Sequence, residues 1–590
     1  MKEFITAKGT NFSLSCDGEP FGHRLEAIYE GEIREYKLTL AIPEGEAFKR
    51  HVLGFEIPHR DICGFWSPSS GYKKHVSPDW SMRREHSRTA VWMPLACLYG
   101  YGGENRLTVA LSDAAGDCAI SAGVIEETAE IKIRIEFISG PLRPASTYSV
   151  RIRIDGRAVP FYDAVGDVKS WWEDLGMKPA RAPEAARLPM YSTWYSFHQG
   201  VDPDGILREC RAAKELGMDS VILDDGWQTD DERRGYAFCG DWEVSKNKIP
   251  DMKGFTDALH ALGMKLIVWF SVPFVGIHSA AYSRFEGKYL TEIKGLGTSV
   301  LDPRYREVRE YLAGIYADRV KRYGWDGLKL DFIDEFRMRP DSPAFNERMD
   351  CATVEEAVER LLEDVTSSLR SINPDILIEF RQAYVGPVIA RYGNMFRAAD
   401  CPNDAISNRI ATLNLRLTSG SAAVHSDMIM FNKADSPQAV SQQLLSVMFA
   451  VPQISVRLTD GIAPDQLRTL KAFLAFWRAH RSALLDGKLE VSGPEANFTS
   501  ASASDRNERI TVLYQPVAAD LSPDRVSFVF NCTGSDGVLI RTDVPVTAKI
   551  SDVFGDEVKA AELCPGVHEL PVPRGGSVAT EPAEPSKKER

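Results

Sequence analysis

From residue 190 to 484, short apolar runs alternate with longer stretches in which apolar positions recur at helical spacing. That alternation marks βα units that build a parallel sheet. The pattern predicts eight strands, over 190–197, 220–227, 265–273, 327–334, 376–382, 395–400, 423–431 and 453–460. Helices are predicted between them over 206–216, 255–262, 308–323, 354–372, 404–417 and 438–449. Gly217, Gly263 and Gly324 stand where a helix gives way to its next strand, a position that favours a left-handed cap. The class is therefore α/β, a (β/α)8 TIM barrel. The segment exceeds the roughly 250 residues usual for such a barrel, and insertions at 228–253 and 335–353 are expected to hold the excess.

On either side the texture is different. Runs at 36–42, 106–111, 131–138 and 148–154 are β-type, and the third alternates apolar and charged residues as a half-buried antiparallel strand does. An N-terminal β-sandwich is expected over 1–178, then a linker rich in Pro and Ala over 179–189, then the barrel over 190–484. After a helix at 465–485, β-type runs at 509–514, 525–530 and 546–550 predict a small C-terminal β-sandwich over 485–580. The charged, Pro-containing tail at 581–590 reads as disordered.

Composition narrows the functional classes. A net charge of −13 argues against nucleic-acid or anionic-membrane partners. No run of about 18 apolar residues predicts a membrane span, and the N-terminus lacks the apolar core of a signal peptide. The 10 cysteines form no C-x-x-C pair, which reads as a reduced set and makes the expected location cytoplasmic.

The chemistry sits where the strands end, the face that carries the active site in this architecture. Lys329 and Asp331 are two apart, so on a strand they point to one face. Burying both is costly unless they are paired or used. The other strand ends repeat the theme: Trp194 to His198 on strand 1, Asp224-Asp225-Gly226-Trp227 on strand 2, Trp269 and Ser271 on strand 3, Glu379 and Arg381 on strand 5, Arg397 and Asp400 on strand 6, and His425-Ser426-Asp427 on strand 7. Each has a plainer reading. The tryptophans suit barrel packing, Asp224-Asp225 a turn and helix cap, His425 a structural hydrogen bond, Arg397 a local pair with Asp400, and Glu379 a core pair with Arg381. Recurrence argues the other way, because sheet interiors do not gather carboxylates for stability. A ring of acids interleaved with Trp and Tyr suits a sugar. A divalent cation would also want several oxygens, but Lys329 beside Asp331 repels one, so neither metal nor other cofactor is expected.

Four motifs carry a resemblance: Leu223-Asp224-Asp225-Gly226-Trp227; Gly240-Asp241-Trp242-Glu243-Val244 with Lys248 and Pro250; Gly263-Met264-Lys265 leading to Trp269-Phe270; and Leu328-Lys329-Leu330-Asp331. Together they resemble the α-galactosidase (melibiase) group, glycoside hydrolase family 36 and its relatives. The resemblance implies that Asp331, as the K-x-D aspartate, is the nucleophile. It implies that Asp224, Asp225 and Lys329 bind sugar hydroxyls. Its S-D-x-x-D-A pattern is met, with one residue added, by Ala399-Asp400-Cys401-Pro402-Asn403-Asp404-Ala405, so Asp400 takes the role of general acid/base. Trp194, Trp269, Glu379, Arg381, Arg397 and Asp404 complete the expected substrate site. The family's Cys- and Gly-rich loop near the sugar's 2-position is replaced by Glu379-Phe380-Arg381-Gln382-Ala383-Tyr384, which leaves the selected ring substituent open.

The expected function is hydrolysis of terminal α-galactosyl groups with retention, on a small oligosaccharide or glycoside. Asp331 and Asp404 are expected to raise the pKa of Asp400 so that it can protonate the leaving oxygen. The alternatives are an α-N-acetylgalactosaminidase or other α-glycosidase of the clan, a raffinose-synthase-like transferase, and, more remotely, a non-catalytic sugar-binding barrel. The resemblance is compatible with homo-oligomer assembly through the N-terminal sandwich.

Overall fold

The computed structural model describes residues 2–7 and 10–581. At its centre lie eight parallel strands: Met190–Ser192, Ser220–Leu223, Lys265–Ser271, Gly327–Asp331, Leu377–Arg381, Met395–Arg397, Ala423–His425 and Gln453–Ile454. They pair in chain order, and the eighth returns to the first. Between the seventh and eighth, single bridges from His425 to Val451 and from Ile429 to Ile454 nearly close the ring. All eight strands fall where the hydrophobic pattern puts them, but they stop earlier. The polar residues beyond each last ladder pair belong to loops. Trp194–Phe197 is a helical turn rather than a strand end, and its Tyr195 and Ser196 amides donate to the Ser455 hydroxyl at 3.0 and 3.1 Å.

Helices Pro203–Glu215, Met252–Ala261, Arg306–Tyr323, Val354–Ile372, Ala405–Thr418, Pro437–Ser446 and Pro464–Ala479 surround the ring. Gly217, Gly263 and Gly324 take positive φ at their predicted stops. A third insertion joins the two expected ones: Phe274–Gly276, Tyr289–Ile293 and Thr298–Leu301 form a small antiparallel sheet after strand 3. Its first strand follows the barrel strand after two residues, so one unbroken apolar run conceals two elements.

The floor of the barrel is an apolar layer of Met190, Ile222, Ile267, Leu377, Met395 and Ala423, closed from below by Ala186. Gly327 occupies the same level, where a Cβ would lie 2.6 Å from both Leu377 Cβ and Leu377 O. The stretch at 179–189 is thus no free linker, because its short helix Glu184–Arg187 plugs the barrel. One pleat above this layer come the polar side chains of the mouth. The ladder sets Lys329 opposite Trp269 on one side and Glu379 on the other, and Arg381 opposite Arg397.

The N-terminal part pairs a seven-stranded sheet with a six-stranded one. Helix Phe161–Asp174 at its end has no counterpart among the predicted elements, and its buried Trp172 donates to Leu111 O at 2.9 Å. The C-terminal part combines a seven-stranded and a three-stranded sheet. Of the tail expected to be disordered, 582–590 lies outside the described residues.

The N-terminal sheets also reach the loops of the barrel mouth. Arg88 donates to Asp334 O (3.0 Å) and Phe336 O (3.3 Å), the Trp92 amide to Ala383 O (2.7 Å), and Tyr72 to Asp404 (3.3 Å). Below them Trp66, fully buried, donates to Asn414 Oδ1 at 3.0 Å, while Asn414 donates to Ser70 O. Trp66→Phe keeps an aromatic ring, though a smaller one, and leaves a buried acceptor empty, so it should cost about 1–3 kcal/mol. A urea midpoint identical to that of the parent would refute this coupling between sandwich and barrel.

Candidate active site

Asp331, at the end of strand 4, is the most heavily partnered acid of the mouth. Its Oδ1 accepts from Arg381 Nε (2.6 Å), the Tyr384 hydroxyl (2.8 Å) and the Phe332 amide (2.8 Å). Its Oδ2 accepts from Trp269 Nε1 (3.0 Å) and lies 3.9 Å from Lys329 Nζ. Burial alone would push this carboxyl up, but Arg381, then Lys329 and the Trp269 hydrogen bond, outweigh it and hold the group well below the usual carboxylate range. Asp331 is therefore an anion with one crowded oxygen and one comparatively free. That arrangement suits a nucleophile.

Lys329 Nζ donates to Asp224 Oδ2 at 2.7 Å. Burial disfavours its charge, yet Asp224 and Asp331 keep the ammonium above its ordinary value. Asp225 accepts from Gln199 Nε2 and Gln228 Nε2, both at 2.7 Å, and burial pushes it up to about 6. The two adjacent acids of strand 2 thus have different surroundings, one salt-bridged and one held by amides.

Arg397 is the centre of a second group. It pairs with Asp427, with Asp400 at 2.8 Å, and with Glu379 at 3.6 Å. Asp427 also accepts from the Tyr195 hydroxyl at 3.0 Å and the Cys401 amide at 2.7 Å. Glu379 is pushed up by burial and takes a hydrogen bond from Gln453 Nε2. Its partner is Arg397, not the Arg381 of the plainer alternative, because Arg381 reaches across to Asp331 instead. His425 is structural: Nε2 donates to Ala186 O (2.7 Å) and Nδ1 accepts from Gln453 Nε2 (3.1 Å), so the ring is fixed as one neutral tautomer.

Two expectations change here. Asp400 is half-exposed, and although burial of its carboxyl would raise the pKa, Arg397 and then Lys329 lower it. The predicted upward push from Asp331 and Asp404 is overridden by the guanidinium beside it. Asp404 caps helix Ala405–Thr418, accepting from the Ile406 and Ser407 amides at 3.1 and 2.9 Å, and its contacts do not join it to the cluster. Trp269 is buried and serves Asp331 through its indole N–H, whereas Trp194 lies tilted against His198 with ring centres 3.8 Å apart at the half-exposed rim. Tyr384, Gln199 and Gln228 also belong to the site but are not among the residues that the strand ends single out. Of these only Tyr384 carried a signal, lying three residues past Arg381 in the loop that departs from the family.

The Melibiase family model matches residues 181–388. The α-galactosidase Mel36A of Lactobacillus acidophilus is 28% identical over 205 residues, which cover 33% of this chain and 27% of Mel36A. The matched stretch thus spans about a quarter of that relative. AgaA of Geobacillus stearothermophilus is 28% identical over 131 residues, 21% of this chain and 18% of AgaA. Solved folds match more widely. An α-galactosidase structure from Lactobacillus brevis gives a TM-score of 0.66 at 16% identity, covering 99% of this chain and 81% of that one. AgaA variants crystallised with stachyose and raffinose give 0.66 and 0.65 at 16% identity, each covering 98% of this chain and 82% of AgaA.

The buried histidine makes a pH test of this arrangement. Burial lowers His425 to about 4. An unfolded histidine titrates near 6.5, so the unfolded state binds the extra proton between those values and stability falls as pH drops from about 6.5 to 4, by up to about 3 kcal/mol. Chemical denaturation at pH 7 and pH 4.5 should show this loss, and His425→Gln should flatten it; an unchanged slope in the variant would contradict the assignment. With the Melibiase model matching residues 181–388 and the fold shared with solved α-galactosidases along nearly the whole chain, this protein is similar to the α-galactosidase (melibiase) group.

Proposed function

We propose that the chain is a retaining glycoside hydrolase that removes terminal α-galactosyl residues from oligosaccharides or glycosides. The observation that carries this reading is Asp331: a buried anion at a barrel-strand end, inside the melibiase-matched segment, with one oxygen left comparatively free. Asp331 Oδ2 attacks the anomeric carbon as the glycosidic bond breaks, and Asp400 gives its proton to the leaving oxygen. Asp400 then takes a proton from water, which attacks the anomeric carbon and frees Asp331. Retention by this route wants the two carboxyl groups about 5–5.5 Å apart. Lys329, paired with Asp224, keeps positive potential under the nucleophile and is available to sugar hydroxyls, as are Asp224 and Asp225. Raffinose and stachyose, held by AgaA, are the first substrates to try.

With this reading go a division into sandwich (1–178), plugging segment (179–189), barrel (190–484) and C-terminal sandwich (485–580), and action in the cytoplasm, alone or as a homo-oligomer. No helix among the described residues is long and apolar enough to cross a membrane. Transfer to a sugar acceptor instead of water would share the first displacement and differ in its products.

Asp331→Asn should reduce turnover of 4-nitrophenyl α-galactoside by about ten-thousandfold, and normal activity in that variant would sink the mechanism. Proton NMR of the first-formed sugar should show the α-anomer; the β-anomer would exclude double displacement. Because Arg397 holds Asp400 below the usual carboxylate range, kcat/KM should rise toward acid pH. A profile flat from pH 5 to 8 would remove Asp400 from the acid/base role.

A further inference from the structure

We propose that the sugar taken by this site carries an oxyanion, a sulfate or a carboxylate, received by the free edge of the Arg381 guanidinium beside the nucleophile. This rests on the reading of the Asp331 mouth as a glycosidase site and names the class of its substrate.

Arg381 ends strand 5 with its side chain 18% exposed. Nε donates to Asp331 Oδ1 at 2.6 Å and Nη1 to Gln382 O at 3.0 Å. The Phe332 and Tyr384 rings lie 5.1 and 5.8 Å from its guanidinium carbon and fix its plane. Nη2 has no acceptor among the described residues, and it is not sealed from solvent. Asp331 does not require this arginine to be satisfied, since Tyr384, the Phe332 amide and Trp269 also donate to it.

The other two cations of the mouth have further acids. Lys329 has Asp224, and Arg397 has Asp427, Asp400 and Glu379. Among the described residues Arg381 has only Asp331 within ion-pair distance; Asp334, a half-buried acid whose Oδ1 is enclosed and unpartnered, lies beyond that range. Formation of the bond from Asp331 Oδ2 to the anomeric carbon, with the leaving oxygen departing protonated, removes the negative charge of Asp331. Arg381 then keeps its charge with no acid within ion-pair distance among the described residues, a less favourable state in a mouth only partly open to water. An oxyanion on the bound sugar supplies the partner before and after the displacement, and the planar fork suits sulfate or carboxylate geometry. A neutral hydroxyl would supply one hydrogen bond and no charge. The acids nearby do not bar an anion: Asp224, Asp400 and Asp427 are ion-paired, and burial pushes Asp225 and Glu379 toward the neutral form.

The test is calorimetric titration of the full chain with galactose, galactose 2-sulfate and galacturonate, with hydrolysis of the matching nitrophenyl α-glycosides alongside. At least one anionic sugar should bind about tenfold or more tightly than galactose. Arg381→Gln should bring that ratio close to one, and Arg381→Lys should keep part of it. The two anionic arms tell sulfate from carboxylate. Galactose binding as well as both anions, or neither anion binding, overturns the proposal on the wild-type chain alone, whether or not the variants fold. Anion binding without hydrolysis of any glycoside would instead overturn the hydrolase reading and leave the anion preference standing.

Discussion

The mouth of this barrel depends on one charge, the Lys329 ammonium, held where water is largely excluded. A lysine in that position is tolerable only with anions close by, and Asp224 at 2.7 Å, from beyond strand 2, and Asp331 at 3.9 Å, from the same strand, supply them. Once the lysine is fixed, the positions of the acids follow. Asp224 must lie at the exit of strand 2 to reach it, and Asp331 must lie one pleat above it, which points both carboxylates into the same opening. Removing one member of such a set leaves an uncompensated buried charge, a loss of several kcal/mol. The network therefore keeps its own geometry under strong constraint, and a bound sugar meets donors and acceptors that are already oriented.

This constraint extends down and outward. Below it the floor must be narrow enough to bring the strands to the right spacing, and Gly327 meets that need by leaving room for Leu377. Ala186 plugs the bottom and anchors His425, whose other nitrogen receives Gln453, which in turn donates to Glu379. A hydrogen-bonded line thus runs from the barrel floor to the second charge cluster around Arg397. Asp331 and its partners sit above one side of the floor, Arg397 and its acids above the other.

Much of this was legible in the chain, for definable reasons. Strand ends are readable because apolar runs give way to polar residues at a fixed place in each βα unit. Residues two apart share a face whatever the register, so Lys329 with Asp331 and Glu379 with Arg381 could be set pointing inward from sequence alone. Which cation serves which acid could not, because that depends on the stagger between strands and on side-chain reach. Glu379 and Arg381 share a strand but bond to different neighbours. Asp404 was ambiguous for another reason: an aspartate opening a helical pattern is equally a cap and a ligand, and only contacts separate the two. The small sheet after strand 3 was hidden because its apolar run is continuous with the barrel strand. The helix at Phe161–Asp174 was hidden because it follows the last β-type run of the N-terminal part within a few residues and sits just before the Pro- and Ala-rich segment.

Among the described residues the N-terminal part contributes none to the charge network, yet Arg88 and the Trp92 amide hold the carbonyls of Asp334, Phe336 and Ala383. Those carbonyls belong to the loops directly after strands 4 and 5, the strands that carry Asp331 and Arg381. The barrel is therefore not a portable module. A chimaera that joins it to the sandwich of a relative would inherit the strand ladder and the floor, but the loops beside the nucleophile would follow the donor's backbone. In this architecture selectivity is open to change by recombination of domains as well as by substitution within the mouth.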